Sequence, residues 1–189
     1  MRRRWIAALG VVTVLLTGCA ATTAGRAEQA PGTSSSTTTP SAVPKVAHPL
    51  DASTVVAKPC DALTPSDVAA IGFVQPLHSA DRDANGSGCT WASEAGGNVA
   101  VSWETINTHG LADLYVKKST YSYWIPTTVA GYPAVYGDGR ADGLCVLNVG
   151  VNDQLIFFVQ YDNPLDPTRD CAVAGTIAAD VIATLKGGG

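Results

Sequence analysis

Leu144-Cys145-Val146-Leu147-Asn148-Val149-Gly150-Val151 and Leu155-Ile156-Phe157-Phe158-Val159-Gln160-Tyr161 carry the two strongest strand signals of the chain, joined through the turn formers Asn152-Asp153. Leu155 to Val159 is apolar at every position, the pattern of a central strand covered on both faces. A strand of that kind needs neighbours on each side and a layer above and below. Downstream, Asp166-Pro167 can cap and start a helix to about Lys186, with Val173, Ile177, Val181 and Leu185 as its apolar stripe and Gly187 as its end. Upstream, Asp138-Gly139-Arg140-Ala141-Asp142-Gly143 is a turn cluster.

Further back, Cys89 to Ser93 and Val99 to Ile106 flank Glu94-Ala95-Gly96-Gly97-Asn98 and read as a hairpin. Val99, Val101, Trp103 and Thr105 alternate with Ala100, Ser102, Glu104 and Ile106, so one face is expected to be buried. Trp91 and Trp103 are large aromatics on strands, which fill cores more often than they wall ligands. Thr108 to Lys118 reads as a helix, with Leu111, Leu114 and Tyr115 on one side. Thr64-Pro65-Ser66-Asp67 reads as the start of a short one: Thr64 caps, Pro65 suits the first position, Asp67 faces the positive end, and Gly72 stops it. The expected fold is α+β: an antiparallel sheet of about five or six strands packed by helices, with the long C-terminal helix on one face. The element order resembles that of the PsbP and Mog1 fold.

At the other end of the chain, Arg2, Arg3 and Arg4 precede the apolar run Trp5 to Leu16 and then Leu16-Thr17-Gly18-Cys19. A basic start, a short apolar run and small residues before a cysteine make a lipoprotein signal peptide over residues 1–18, with a lipobox and Cys19 as the acylated first residue of the mature chain. The run is too short to span a bilayer core of ~30 Å. Ala20 to about Lys58 is rich in Ala, Thr, Ser and Pro, so residues 19–58 are expected to be the lipidated cysteine and a disordered tether with a root-mean-square span of roughly 35 Å. The globular domain is expected over residues 59–189.

Loss of the three leading arginines lowers Lys plus Arg from 12 to nine against 16 Asp and Glu, a net charge of −7. That balance argues against nucleic acid as a partner. Besides Cys19 the chain has Cys60, Cys89, Cys145 and Cys171, an even number suited to two disulfides outside the membrane. Three pairings are open to four cysteines. Cys60 with Cys89 and Cys145 with Cys171 is favoured, because each would staple a helix start to a nearby strand. No pair has the close C-x-x-C spacing of structural zinc sites.

The search for chemistry turns up no catalytic set, no cofactor fingerprint and no complete metal motif. Asp81-Arg82-Asp83-Ala84-Asn85-Gly86 matches the first half of a calcium loop, but Ala92 stands where the bidentate Glu belongs and Cys89-Thr90-Trp91 looks like a strand. The reading there is a polar turn. An enzyme would have to bring His78 or His109 within hydrogen-bond reach of a carboxylate or hydroxyl in a cleft. A binding module would instead present an aromatic or apolar concavity, for which Tyr121, Tyr123 and Trp124 are the candidate residues.

Pro59-Cys60-Asp61-Ala62-Leu63-Thr64, Cys89-Thr90-Trp91, Thr128-Val129-Ala130-Gly131-Tyr132-Pro133-Ala134, Cys145 with Val149-Gly150-Val151, and the helix of Cys171 resemble the domain of unknown function 3558 of actinobacterial lipoproteins. The resemblance covers about Pro59 to Leu185. It implies an exported envelope lipoprotein whose cysteines form disulfides, and it supplies no activity and no catalytic residues. The functional expectation is a non-catalytic module, lipid-anchored on the extracytoplasmic face of the cell membrane and binding an envelope protein or a small apolar ligand. The alternative is an enzyme or enzyme accessory acting on envelope material.

Overall fold

The computed structural model describes residues 42–73, 77–137, 144–164 and 170–187, all within one unit, Thr39–Gly189. The signal peptide, Cys19, the tether as far as residue 41, the turn cluster at 138–143 and the helix start at Asp166-Pro167 lie outside the described residues. In chain order the elements are α1 (Ser53–Ala57), a 3₁₀ turn (Pro59–Ala62), α2 (Pro65–Ala70), β1 (Leu77–Arg82), β2 (Gly86–Ala92) and β3 (Asn98–Glu104). There follow α3 (Leu111–Val116), a 3₁₀ turn (Lys118–Thr120), β4 (Trp124–Val129), β5 (Tyr132–Gly137), β6 (Leu144–Gly150), β7 (Ile156–Asp162) and α4 (Asp170–Leu185).

The strands form one seven-stranded sheet in the order β1-β2-β3-β7-β6-β5-β4, every pairing antiparallel. Two meanders, β1 to β3 and β4 to β7, are joined through α3, and the last strand of the second docks beside the last of the first. The apolar run at Ile156–Val159 thereby becomes the central strand. Its loop from β6 is longer than a two-residue turn: Asn152 Oδ1 accepts the N–H groups of Gln154 at 2.9 Å and Leu155 at 2.8 Å.

One face of the sheet is covered across its middle strands. Val99, Val101 and Trp103 of β3 stand in register with Tyr161, Val159 and Phe157 of β7, and these with Cys145, Leu147 and Val149 of β6. All nine are buried under the helices. α4 crosses this face with Val173, Ile177 and Val181, and Ala174, Ala178 and Ile182 beside them widen the buried stripe. Thr64 caps α2 as read: its N–H donates to Asp67 Oδ2 at 2.7 Å and its Oγ1 accepts from Asp67 N at 3.3 Å. Gly72, at φ +93°, ends that turn in the left-handed region where a Cβ is disfavoured.

The cysteines pair as Cys60–Cys89 and Cys145–Cys171. The first ties the 3₁₀ turn at Pro59 to β2, the second ties α4 to β6.

Residues 42–58, which composition assigns to the tether, run instead along the domain as a strap. Val46, Ala52 and Val55 are buried, Leu50 N–H donates to Val151 O at 2.9 Å, and the Tyr132 hydroxyl donates to His48 O at 2.9 Å. The last carbonyls of α1 are also met: Val56 O accepts from Ser87 Oγ at 2.8 Å and from Arg82 Nη2 at 2.9 Å. The physical reason is that Val43, Val46, Leu50 and Val55 supply apolar surface that the Ser/Thr/Pro tract before them lacks.

Candidate functional site

The second face of the sheet is covered only in part. A row crosses all seven strands on this side: Asp81, Gly88, Ser102, Phe158, Asn148, Val135 and Pro126. α3 covers one end of it, where Leu111 and Leu114 bury Val135 and Ile156. Leu111 can approach because Gly150 has no side chain; a Cβ there would lie 3.0 Å from Leu111 Cδ1. Towards β1 no helix among the described residues lies over the row; Phe158 is half-buried and Asp81 exposed. The central strand is therefore roofed on this face only at its Ile156 end, against the expectation of full cover on both faces.

Two hollows lie where the roof stops. The larger, about 500 Å³, is bordered by Asp81, Asp83, Glu104, Ile106, Lys117 and Phe158, with Asn107 at its wall. The smaller, about 260 Å³, is bordered by Leu114, Tyr121, Gly137, Val146, Asn148 and Gln160. Glu104 and Phe158 border both, so the two form one groove. Its floor is shaped by Gly88: a Cβ there would meet Ser102 Oγ at 2.6 Å and Asp81 Oδ1 at 3.1 Å. Three carboxylates and one ammonium border the larger hollow, whereas the smaller sets Leu114, Tyr121, Val146 and Phe158 beside the polar Glu104, Asn148 and Gln160.

Glu104 is the electrostatically unusual member. It stands half-buried, and burial raises its carboxyl above the ordinary carboxylate range, while a hydrogen bond from Asn107 Nδ2 and the charge of Lys117 pull it back. Among the described residues it forms no ion pair; the salt bridges are Lys45–Asp153 and His109–Asp113. Asp83 is opposite in character. Fully exposed, it accepts the N–H groups of Asn85 at 2.8 Å and Gly86 at 3.1 Å, which lower its carboxyl. This is how Asp81–Gly86 makes a turn between β1 and β2, and no group of metal-ligating residues occurs among those described.

A raised carboxyl in the folded chain binds its proton more tightly than in the unfolded chain. Its contribution to stability is complete below the ordinary carboxylate range and is lost as pH rises through the raised one. Glu104→Gln is therefore expected to raise the urea midpoint at ~pH 7 and to lose that advantage at ~pH 3. Equal gains at both pH values would remove burial of the charge as the cause.

The other sequence candidates fall elsewhere. Tyr121 borders the smaller hollow, its ring 3.3 Å from where a Gly137 Cβ would stand. Trp124 packs against Tyr115 at 5.0 Å and Tyr121 at 5.2 Å between ring centroids, in the α3 cluster, and Tyr123 is half-buried. Tyr121 thus lies at the groove and Trp124 in the α3 cluster, and all three side chains are half-buried. Trp91 and Trp103 are 3 % and 1 % exposed and belong to the covered core.

The histidines divide the requirement for acid–base chemistry between them. His109 Nδ1 lies 3.1 Å from Asp113 Oδ1 and 3.2 Å from Thr108 Oγ1. Asp113 is at the same time the acceptor for the N–H groups of Thr108 and His109, both at 3.1 Å, at the start of α3. The His109 side chain is 73 % exposed and the hollow beside it measures about 20 Å³, room for about one water. His78 borders a cleft of about 400 Å³ with Cys60, Asp61, Leu63 and Trp91, and its side chain makes no hydrogen bond to another described residue. No histidine has both a partner and a substrate-sized cleft.

The groove residues were not legible as a set. Of the groove's lining, the sequence marks only Tyr121, as an aromatic candidate, and Asp81-Arg82-Asp83-Ala84-Asn85-Gly86, as a polar turn. Glu104 was visible only as one polar member of an alternating strand.

A family model described as a protein of unknown function, DUF3558, matches residues 14–184. No curated protein and no solved structure matches the chain.

Proposed function

Given that the chain belongs to the DUF3558 family over residues 14–184, a family whose description names no activity, we propose that it is a non-catalytic binding module held on the outer face of the cell membrane. The observation that carries the binding reading is the groove on the half-roofed face: about 500 Å³ in its larger hollow, within the range of small-ligand sites, with mostly polar groups set around Ile106 and Phe158. The groove is more polar than the apolar concavity expected from sequence. A small ligand with a polar group fits it better than a purely apolar one.

The membrane address rests on Arg2 to Arg4, the apolar run and the lipobox, a stretch whose last part falls inside the family match. The two disulfides suit an oxidising compartment. Two or more acyl chains on Cys19, at about 0.8 kcal/mol per buried methylene, would make attachment durable. Cys19→Ala is expected to move the protein from the washed membrane fraction to the soluble one with its unfolding midpoint unchanged. Retention of the variant on washed membranes would remove the anchor.

The binding reading is tested by mass spectrometry of what co-purifies with the native chain and with Cys19→Ala. A small molecule enriched with both forms supports the groove; a protein partner that copurifies alone moves the function to an outer surface. The cleft at His78 is what favours the alternative of an enzyme or accessory acting on envelope material, and His78→Ala with no effect on any envelope reaction would close it. We also propose that the sheet and α4 are of the PsbP and Mog1 type, on element order alone. A solved structure that superposes on neither would overturn that.

A further inference from the structure

The groove has two ends of different chemistry. At one, Asp81, Asp83 and Glu104 gather around a hollow to which the described residues contribute a single cation, Lys117, beyond ion-pair distance of any carboxylate described. At the other, Leu114, Tyr121 and Val146, with the amides of Asn148 and Gln160, surround a smaller hollow over the bare backbone of Gly137. Phe158, half-buried in the central strand, borders both and forms an apolar bridge between them.

A carboxylate withdrawn from water is costly unless an opposite charge faces it. Glu104 has one amide donor, from Asn107, and the charge of Lys117 beyond ion-pair distance, so no cation is in direct contact with it although folding half-buries it where the two hollows meet. Ile106, 58 % exposed, stands at the same rim, an apolar side chain left in water beside the acids. A ligand that brought a cation to Glu104 and an alkyl chain to Phe158 would relieve both. A polyanion or a free carboxylate would meet three negative groups, and a neutral alkane would leave Glu104 unpaired.

We propose that the groove binds an alkylammonium compound, with the ammonium among Asp81, Asp83 and Glu104 and the alkyl chain lying over Phe158 towards Leu114, Tyr121 and Val146. The inference rests on the binding reading above and adds the class of ligand. The same chemistry is available from a free amine and from a lysine side chain of another polypeptide; two joined hollows of about 500 and 260 Å³ have room for a whole small molecule, which favours the free amine.

The experiment follows backbone amide shifts of the Cys19→Ala chain on titration with hexylammonium, hexanoate, 1-hexanol, calcium chloride and an alanine pentapeptide with a central lysine. Hexylammonium is expected to shift Ser102, Glu104, Phe158 and Val146 saturably, to bind at least tenfold more tightly than hexanoate, and to tighten by up to about fourfold per methylene from butyl to hexyl. Glu104→Gln is expected to weaken it about tenfold while leaving 1-hexanol unaffected, and Asp81→Asn, in an exposed strand, gives a second loss that no folding defect explains. Tighter binding of the lysine peptide would keep the cation and change its source.

Equal affinity for hexanoate and hexylammonium, or an affinity unchanged in both variants, overturns the ammonium assignment. If 1-hexanol still shifts the groove in that case, the binding module stands without it. If no probe shifts groove residues, both fall. Shifts produced by calcium alone, confined to Asp81 and Asp83, would also overturn the proposal.

Discussion

Phe157→Ala is expected to lower the unfolding free energy by about 3 to 5 kcal/mol, among the largest effects of any single side-chain truncation in the domain. Phe157 is fully buried, stacks at 5.0 Å on Trp103 of β3, and pairs with Val149 of β6, so it joins the two meanders beneath the helical layer. Its removal leaves a cavity that neighbours on three strands cannot close without shifting the register of the central one. Phe158→Ala provides the comparison within the same strand: identical chemistry, one residue along, on the half-roofed face. Its cost is expected to be smaller, because a half-buried ring returns less surface to water. Urea denaturation of the two variants checks this, and a Phe158 loss equal to that of Phe157 would mean that the second face is covered after all.

Removal of Cys145–Cys171 by paired alanine substitution is expected to cost about 3.5 kcal/mol, the loop-closure entropy for a separation of 26 residues. Cys60–Cys89, with a separation of 29, closes a loop of nearly the same size, so chain entropy alone predicts nearly equal losses. The two differ in what they hold. Cys145 lies 1 % exposed under α4, whereas the Cys60 bridge secures the turn that follows the strap. Against a typical total of about 5 to 15 kcal/mol, the loss of both would leave little, and the fully reduced domain is expected to unfold close to body temperature. A reduced chain with the melting curve of the oxidised one would show that the bridges contribute nothing to the equilibrium.

The strands with an apolar face declared themselves. β6 and β7 were readable because burial on one or both faces writes itself as periodicity, and α2 because Thr64, Pro65 and Asp67 act within one turn. The sheet nonetheless has seven strands where five or six were expected. The difference lies at its edges: all six residues of β1 are exposed, so no alternation marks it, and β4 contains Pro126, which counts against a strand except at an edge. The strap was hidden because Val43, Val46 and Leu50, although three and four residues apart, are interrupted by Pro44 and Pro49, which rule out a helix. Their burial is decided by surfaces far along the chain, such as Val151 and Tyr132.

The groove was hidden for a related reason. Asp81, Ser102 and Phe158 meet through the registers β1-β2, β2-β3 and β3-β7, and the depth between them depends on an absent side chain at Gly88. Local signals reveal turns and caps. A site made from one residue per strand depends on pairing that composition does not record.

The strap has a mechanical consequence. A pull at residue 42 loads the Leu50–Val151 and Tyr132–His48 hydrogen bonds first, one after another, the peeling geometry that gives way at low force. Peeling then reaches Cys60, where a covalent bond to Cys89 passes the load into β2 and stops the unravelling short of the central strands. A domain tethered at that end would yield by a short, reversible slackening of about seventeen residues, residues 42–58, while its groove kept its shape.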